Sequence, residues 1–153
     1  MSLNRFIEAQ QRDYETALQE VKQGKKINHW MWYIFPQIHS LGESYYAKYY
    51  ALKSIEETIE YLNNDYLYNN IILICEALLE INHSDVEKIF SDIDAIKLRS
   101  SMTLFNYVTE YYPNQINKTN HIVFQQVLNK FFCGQEDELT LEIIYKERDN
   151  FQF

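Results

Sequence analysis

Corners are what this chain lacks. Three glycines and two prolines serve all 153 residues, too few turn formers for a sandwich or barrel of many short strands. Long helices with a few well-marked breaks fit that scarcity. The breaks themselves carry helix-start chemistry. Ser54-Ile55-Glu56-Glu57 and Ser84-Asp85-Val86-Glu87 each read as a capping box, in which a short polar side chain accepts from a free amide of the first turn.

Between the breaks the apolar spacing is helical. Leu3, Phe6, Ile7, Tyr14, Ala17, Leu18 and Val21 define a first helix that Ser2 can cap and Gly24 can end. An aromatic stretch from His29 to Phe35 is stopped by Pro36. A helix then runs from Ser54 to about Leu62, and another from a cap at Asp65 through Leu73, Leu78 and Ile81. The second box opens a short helix ending near Phe90. Ser91 starts the longest segment, which reaches Tyr112-Pro113. Asn117 to Asn120 forms a polar break before a helix from about His121 to Cys133, ended by Gly134. Asp137 caps the last, to about Arg148. No period repeats and no linker interrupts the series. The expectation is an all-α fold, a single compact domain over residues 1–153, with seven or eight helices around a central buried one. A hydrophobic content of 46% is enough to build that core.

Fourteen Lys+Arg stand against 22 Asp+Glu, a net charge of −8. That balance repels phosphate backbones and anionic bilayers, so neither nucleic acid nor a membrane is expected as a partner. The one basic cluster, Lys22, Lys25 and Lys26, reads as the cationic last turn of the first helix. Cys75 lies in the apolar run Ile71 to Cys75, and Cys133 is far away with no CxxC pairing, which suits a reduced cytoplasm. No charged-then-apolar leader pattern opens the sequence, and no apolar stretch approaches about 18 residues. The expected location is cytoplasmic. His29, His39, His83 and His121 show no zinc-site spacing, and there is no glycine-rich phosphate loop or GxSxG elbow, so no metal and no cofactor is expected.

Two segments break their own pattern. Placed at roughly 100° per residue, Ile93, Ile96, Leu98, Met102, Leu104, Phe105, Tyr107, Val108 and Tyr112 cover roughly 240° of a helix, too wide for one surface stripe. That helix should be central. Lys97 and Ser101 fall inside the arc, four apart and on one face, with Ser100 at its other side. Arg99, Thr103 and Asn106 fill the remaining sector, where solvent contact would account for them. A lysine inside an apolar arc must snorkel, pair with an acid, lose its proton or line a wet pocket. In the pocket reading Lys97, Ser100 and Ser101 form a floor suited to an anionic or carbonyl-bearing ligand.

The second segment is His29-Trp30-Met31-Trp32-Tyr33-Ile34-Phe35-Pro36-Gln37, which holds both tryptophans. It is either core or a stacking wall, with Trp30 or Trp32 as platform and Gln37 or His29 as polar reader. His29 and Lys97 are the candidates for catalytic chemistry, the histidine because its charge changes near neutral pH.

These strings resemble a known family. Arg5-Phe6, Ala9-Gln10, Gly24-Lys25-Lys26, His29-Trp30-Met31-Trp32, Phe35-Pro36-Gln37, Leu41-Gly42 and Ser44 are of the kind found in the domain of unknown function 1810. So are Lys97, Ser100 through Phe105, Phe132, Gly134, Asp137 and Thr140-Leu141. The commonest form of the first aromatic string has Phe where this chain has Tyr33. The resemblance spans nearly the whole chain and implies an all-α fold; it brings no established activity.

Two functions are consistent with these residues. One is a pocket between the aromatic strip and the central helix for a small anionic or nucleotide-like ligand. It would use Trp30, Trp32, Gln37, Lys97, Ser100 and Ser101, with His29 as acid/base. The other is a helical module that binds a protein partner without catalysis.

Overall fold

A computed structural model of the chain describes residues 2–118 and 122–150. Among these, nine α-helices follow one another: α1 Asn4–Gln23, α2 Met31–Ile34, α3 Tyr45–Tyr49, α4 Ile55–Asn63, α5 Asp65–Glu80, α6 Val86–Ile89, α7 Asp92–Tyr111, α8 Val123–Phe132 and α9 Glu138–Asn150. A 3-10 turn, Pro113–Gln115, follows α7. The fold is all-α, as expected. The count exceeds the expected seven or eight because α2 and α3, of four and five residues, are single turns too short to show a repeating apolar stripe. His121 and part of the polar break before α8 lie outside the described residues.

The local start signals hold with two shifts of register: Asp85, not Ser84, caps α6, and Asn64 stands where Asp65 was expected. Ser54, Ser91 and Asp85 accept from the amides of Glu57, Asp94 and Glu87, and Asp137 accepts from Thr140 at the start of α9. Ser2 accepts from Asn4 at the entrance to α1. Asn64, not Asp65, caps α5, by accepting from Leu67. Its neighbour carries charge into the first turn, where the helix dipole favours it. Gly24 closes α1 in the left-handed region at φ 83°. Among the described residues one isolated parallel β-bridge joins Ile38 to Leu52.

Helix α1 packs on α5 and α2, α5 on α4 and α8, and α7 on α8, α9, α4 and α6. Phe6, Trp30, Phe35, Tyr61, Phe105 and Phe124 fill one continuous core. Helix α7 is central, but only in its second half, where every residue from Ser100 to Thr109 is buried. Ile93 and Ile96, expected at the heart of its apolar arc, are 63% and 56% exposed. The wheel treats a helix as equally enclosed along its length. Before Ser100 only Ala95 and Leu98 of α7 are buried, although α4, α6, α8 and α9 all pack along the helix. The same enclosure buries Thr103 and Asn106, placed on the solvent side by the wheel. Thr103 donates to the Arg99 carbonyl and accepts from Asp137, and Asn106 donates to Gln125.

One buried ion pair sets the surface considered next. The Arg5 guanidinium donates to both Glu57 oxygens at 2.7 and 3.1 Å and to the carbonyls of Ser2, Tyr49 and Ala51. Its charge is therefore fully satisfied although Arg5 is 4% exposed. Glu57 also accepts from Lys53. The α3–α4 connection is thereby tied down onto α1. A Cβ on Gly42 would stand 2.6 Å from that of Ala47, so only glycine lets the chain entering α3 lie this close to it.

Candidate functional site

A cleft of about 370 Å³ opens between α1, α2 and α3, lined by Arg12, His29, Trp32, Tyr33, Tyr46 and Tyr50. A second, of about 310 Å³, adjoins it and is lined by Asp13, Thr16, Asn28, His29, Trp30 and Tyr33. His29 and Tyr33 border both.

The loop that presents His29 is held by Glu20. Its carboxylate, buried on α1, accepts from the amides of Ile27 and Asn28 at 2.7 and 3.0 Å, from the Trp30 indole at 2.9 Å and from the Asn28 side chain at 2.5 Å. Burial alone would raise the Glu20 carboxyl. The donors from Asn28, Ile27 and Trp30 outweigh it and hold the group at about 2. The aromatic strip then enters α2 with Trp30, Met31, Tyr33 and Ile34 buried and Trp32 half-buried.

Four rings form the wall. Trp32 meets Tyr46 at 5.3 Å between centroids, Tyr33 meets Tyr50 at 5.0 Å, and Tyr46 stacks on Tyr50 at 6.3 Å. At the rim Arg12 donates through Nε to Asp13 at 3.0 Å, and its Cζ lies 5.6 Å from the Tyr33 ring centre. Tyr33 donates its hydroxyl to the same Asp13 carboxylate. Burial, reinforced by that carboxylate, pushes the Tyr33 phenol up to about 12. The neighbouring Tyr33 hydroxyl and Asp13 carboxylate raise Arg12 further above its ordinary value. The rim thus presents a fixed cation and a protonated phenol beside an aromatic surface.

The structure brings together some of the residues singled out in sequence and separates others. His29 and Trp32 share the cleft. Trp30 borders the adjoining cleft but is 1% exposed, and its indole N–H is committed to Glu20, which leaves it no free face as a platform. Lys97 does reach the aromatic strip, its Nζ 4.9 Å from the Trp32 ring centre. It also lies 3.7 Å from Asp94, whose other oxygen is 3.0 Å from Lys26. Of the four fates open to a lysine in that arc, an acid partner is the one adopted. Lys97 does not line either cleft. Ser100 and Ser101 are buried within the packing of α7 and Gln37 is half-buried, its carbonyl accepting from Leu52; none of the three borders the clefts.

Arg12, Tyr33, Tyr46 and Tyr50 are the lining residues that sequence reasoning did not single out. The signal was present in Tyr45-Tyr46-Ala47-Lys48-Tyr49-Tyr50, where rings recur four apart and therefore stack along one helix side. Among the described residues no group of three or more His, Cys, Asp or Glu could hold a metal ion. No helix among them is long and apolar enough to cross a membrane.

Fold and cleft together define an all-α protein with an aromatic-walled, cation-rimmed recess. The chain belongs to the family described as protein of unknown function DUF1810, whose model matches residues 1–144. It is similar to the crystal structure of a conserved hypothetical protein from Mycobacterium tuberculosis, at 35% identity and a TM-score of 0.84, over 94% of this chain and 96% of that one. No curated protein sequence matches it significantly.

Proposed function

We propose that the protein binds a small planar anion, nucleotide-like in having a ring and a phosphate or carboxylate, in the cleft between α1, α2 and α3. The observation that carries this reading is the juxtaposition of the Arg12 guanidinium with the half-buried Trp32 ring and Tyr46 on one recess. A guanidinium recognises an oxyanion through paired donors, and an aromatic wall takes the flat part of the ligand. Asp13 engages its Nε and the Tyr33 and Tyr50 hydroxyls neighbour the guanidinium, so a bound oxyanion would join this cluster at the exposed rim. His29, exposed where the two clefts meet, is the group placed to exchange a proton with a bound molecule. Lys97 serves this site through Trp32, by holding that ring in place.

Thermal shift and tryptophan fluorescence with AMP, phenyl phosphate and adenosine test this. The two anions should raise the melting temperature and quench emission, with adenosine far weaker. Arg12 has a side chain 61% exposed, so Arg12→Leu should fold normally and lose the shift. An equal shift in both proteins, or none from either anion, would overturn the reading.

A further inference from the structure

The apolar run Ile71-Ile72-Leu73-Ile74-Cys75 is longer than one helix face can bury. In α5, Ile71, Ile74 and Cys75 turn into the core, while Leu73 is 51% exposed and Ile72 only partly covered. On the outer side Ile72, Glu76, Leu79 and Glu80 share one stripe by helical spacing. Together with Ile122, Val123 and Gln126 at the start of α8, that stripe lines a groove of about 440 Å³. Ile122 is 62% exposed. The groove lies on different helices from the cleft beside Arg12 and shares no residue with it.

Its charge is unbalanced. Glu76 and Glu80 stand four apart on the same helix face, a like-charge pair that weakens an isolated helix. Neither has an ion-pair partner among the described residues. The nearby cation Lys130 is spent on the carbonyls of Leu79 and Ile81 at the end of α5. An apolar floor with an unpaired acidic rim fits an occupant with the opposite pattern. A second copy of this chain does not supply it, because the net charge is −8 and two such rims would face each other.

We propose that the α5–α8 groove docks an amphipathic helical segment of a partner protein, with aliphatic side chains four apart in the groove and Lys or Arg flanking them toward Glu76 and Glu80. The apolar contacts supply the affinity, and the acidic pair sets partner choice and orientation.

The test uses a fluorescent alanine-based helical peptide with Leu at i and i+4 and Lys on both flanks, titrated with the full chain and read by anisotropy. The peptide should bind, and raising the salt should weaken it. Glu76→Lys/Glu80→Lys should lower affinity at least tenfold, as should Ile122→Ser; these side chains are exposed, and circular dichroism checks that the variants stay folded. Replacing both peptide leucines with Ser should lose a comparable factor, and Arg12→Leu should change nothing. No binding, equal affinity for the Leu and Ser peptides, or equal affinity of wild type and the charge-reversed protein would overturn the proposal. Equal Leu and Ser affinities would mean that the acidic protein attracts any cationic peptide.

Discussion

Replacing Glu20 with Gln should destabilise the protein by about 3 kcal/mol at neutral pH, and the loss should fade in acid. The magnitude follows from the carboxyl's displacement from 4.5 to about 2. Each unit is worth about 1.36 kcal/mol, so the folded state gains about 3 kcal/mol from the ionised group. A count of contacts agrees in scale. The four donors gathered on Glu20 make hydrogen bonds to a charged acceptor, each worth roughly 1.5–3 kcal/mol before the cost of burying the carboxylate is subtracted. Glutamine keeps the shape but turns an amide N–H₂ toward one or more of those donors. For a domain of this size the loss corresponds to roughly 6–12 °C in melting temperature.

The pH dependence has a definite sign. The folded value lies below the unfolded one, so the stabilisation is complete above about 4.5 and disappears as pH falls toward about 2. Urea unfolding of wild type and Glu20→Gln at pH 7 and pH 3 should show a gap that shrinks by more than half. Other carboxylates titrate equally in both proteins and cancel in the difference. The variant should also bind ligand more weakly at the cleft, because Glu20 holds the loop that carries His29. A gap that is the same at both pH values, or below about 1 kcal/mol at pH 7, would refute the view that an ionised Glu20 organises this loop.

Three further outcomes follow from the packing. Arg5→Met should cost about 3–5 kcal/mol in urea unfolding, since it leaves Glu57 buried and unpaired; a loss below 1 kcal/mol would contradict the role given to that pair. Lys97→Met keeps most of the stem and leaves Asp94 paired with Lys26, so stability should change by no more than about 1 kcal/mol, checked by the same assay. In hydrogen exchange the amides of residues 100–109 in α7 should be among the slowest, with those near Ile93 and Ile96 faster; uniform protection along α7 would argue against its one-sided enclosure.

The helices were legible because their signals are local. Ser54, Ser91 and Asp137 each bond an amide three residues away, so the residue type and its neighbours suffice to place the cap. The short α2 and α3 escaped because one turn shows no repeating apolar stripe; α3 has a local cap in Ser44, and the bonds from Arg5 to Tyr49, Ala51 and Glu57 tie its far end down. The site was half legible. A lysine inside an apolar arc and a strip with two tryptophans pointed toward the cleft's surroundings, and Lys97 does lie against Trp32. Asp94, three residues before Lys97 on the same helix, was legible as its partner from that spacing, whereas the closing over of Ser100 and Ser101 was not.

The sequence by itself therefore determined that the chain is helical, where most helices begin, and that one of them is central. Tertiary structure decided which side of α7 is covered, which tryptophan keeps an open face, and which cation stands at the cleft. The physical reason is range. A cap or a helical stripe is an interaction among residues a few positions apart. The cleft is made when Glu20 pins one loop and Arg5 another, bringing Arg12, Trp32 and Tyr46 together from separate segments.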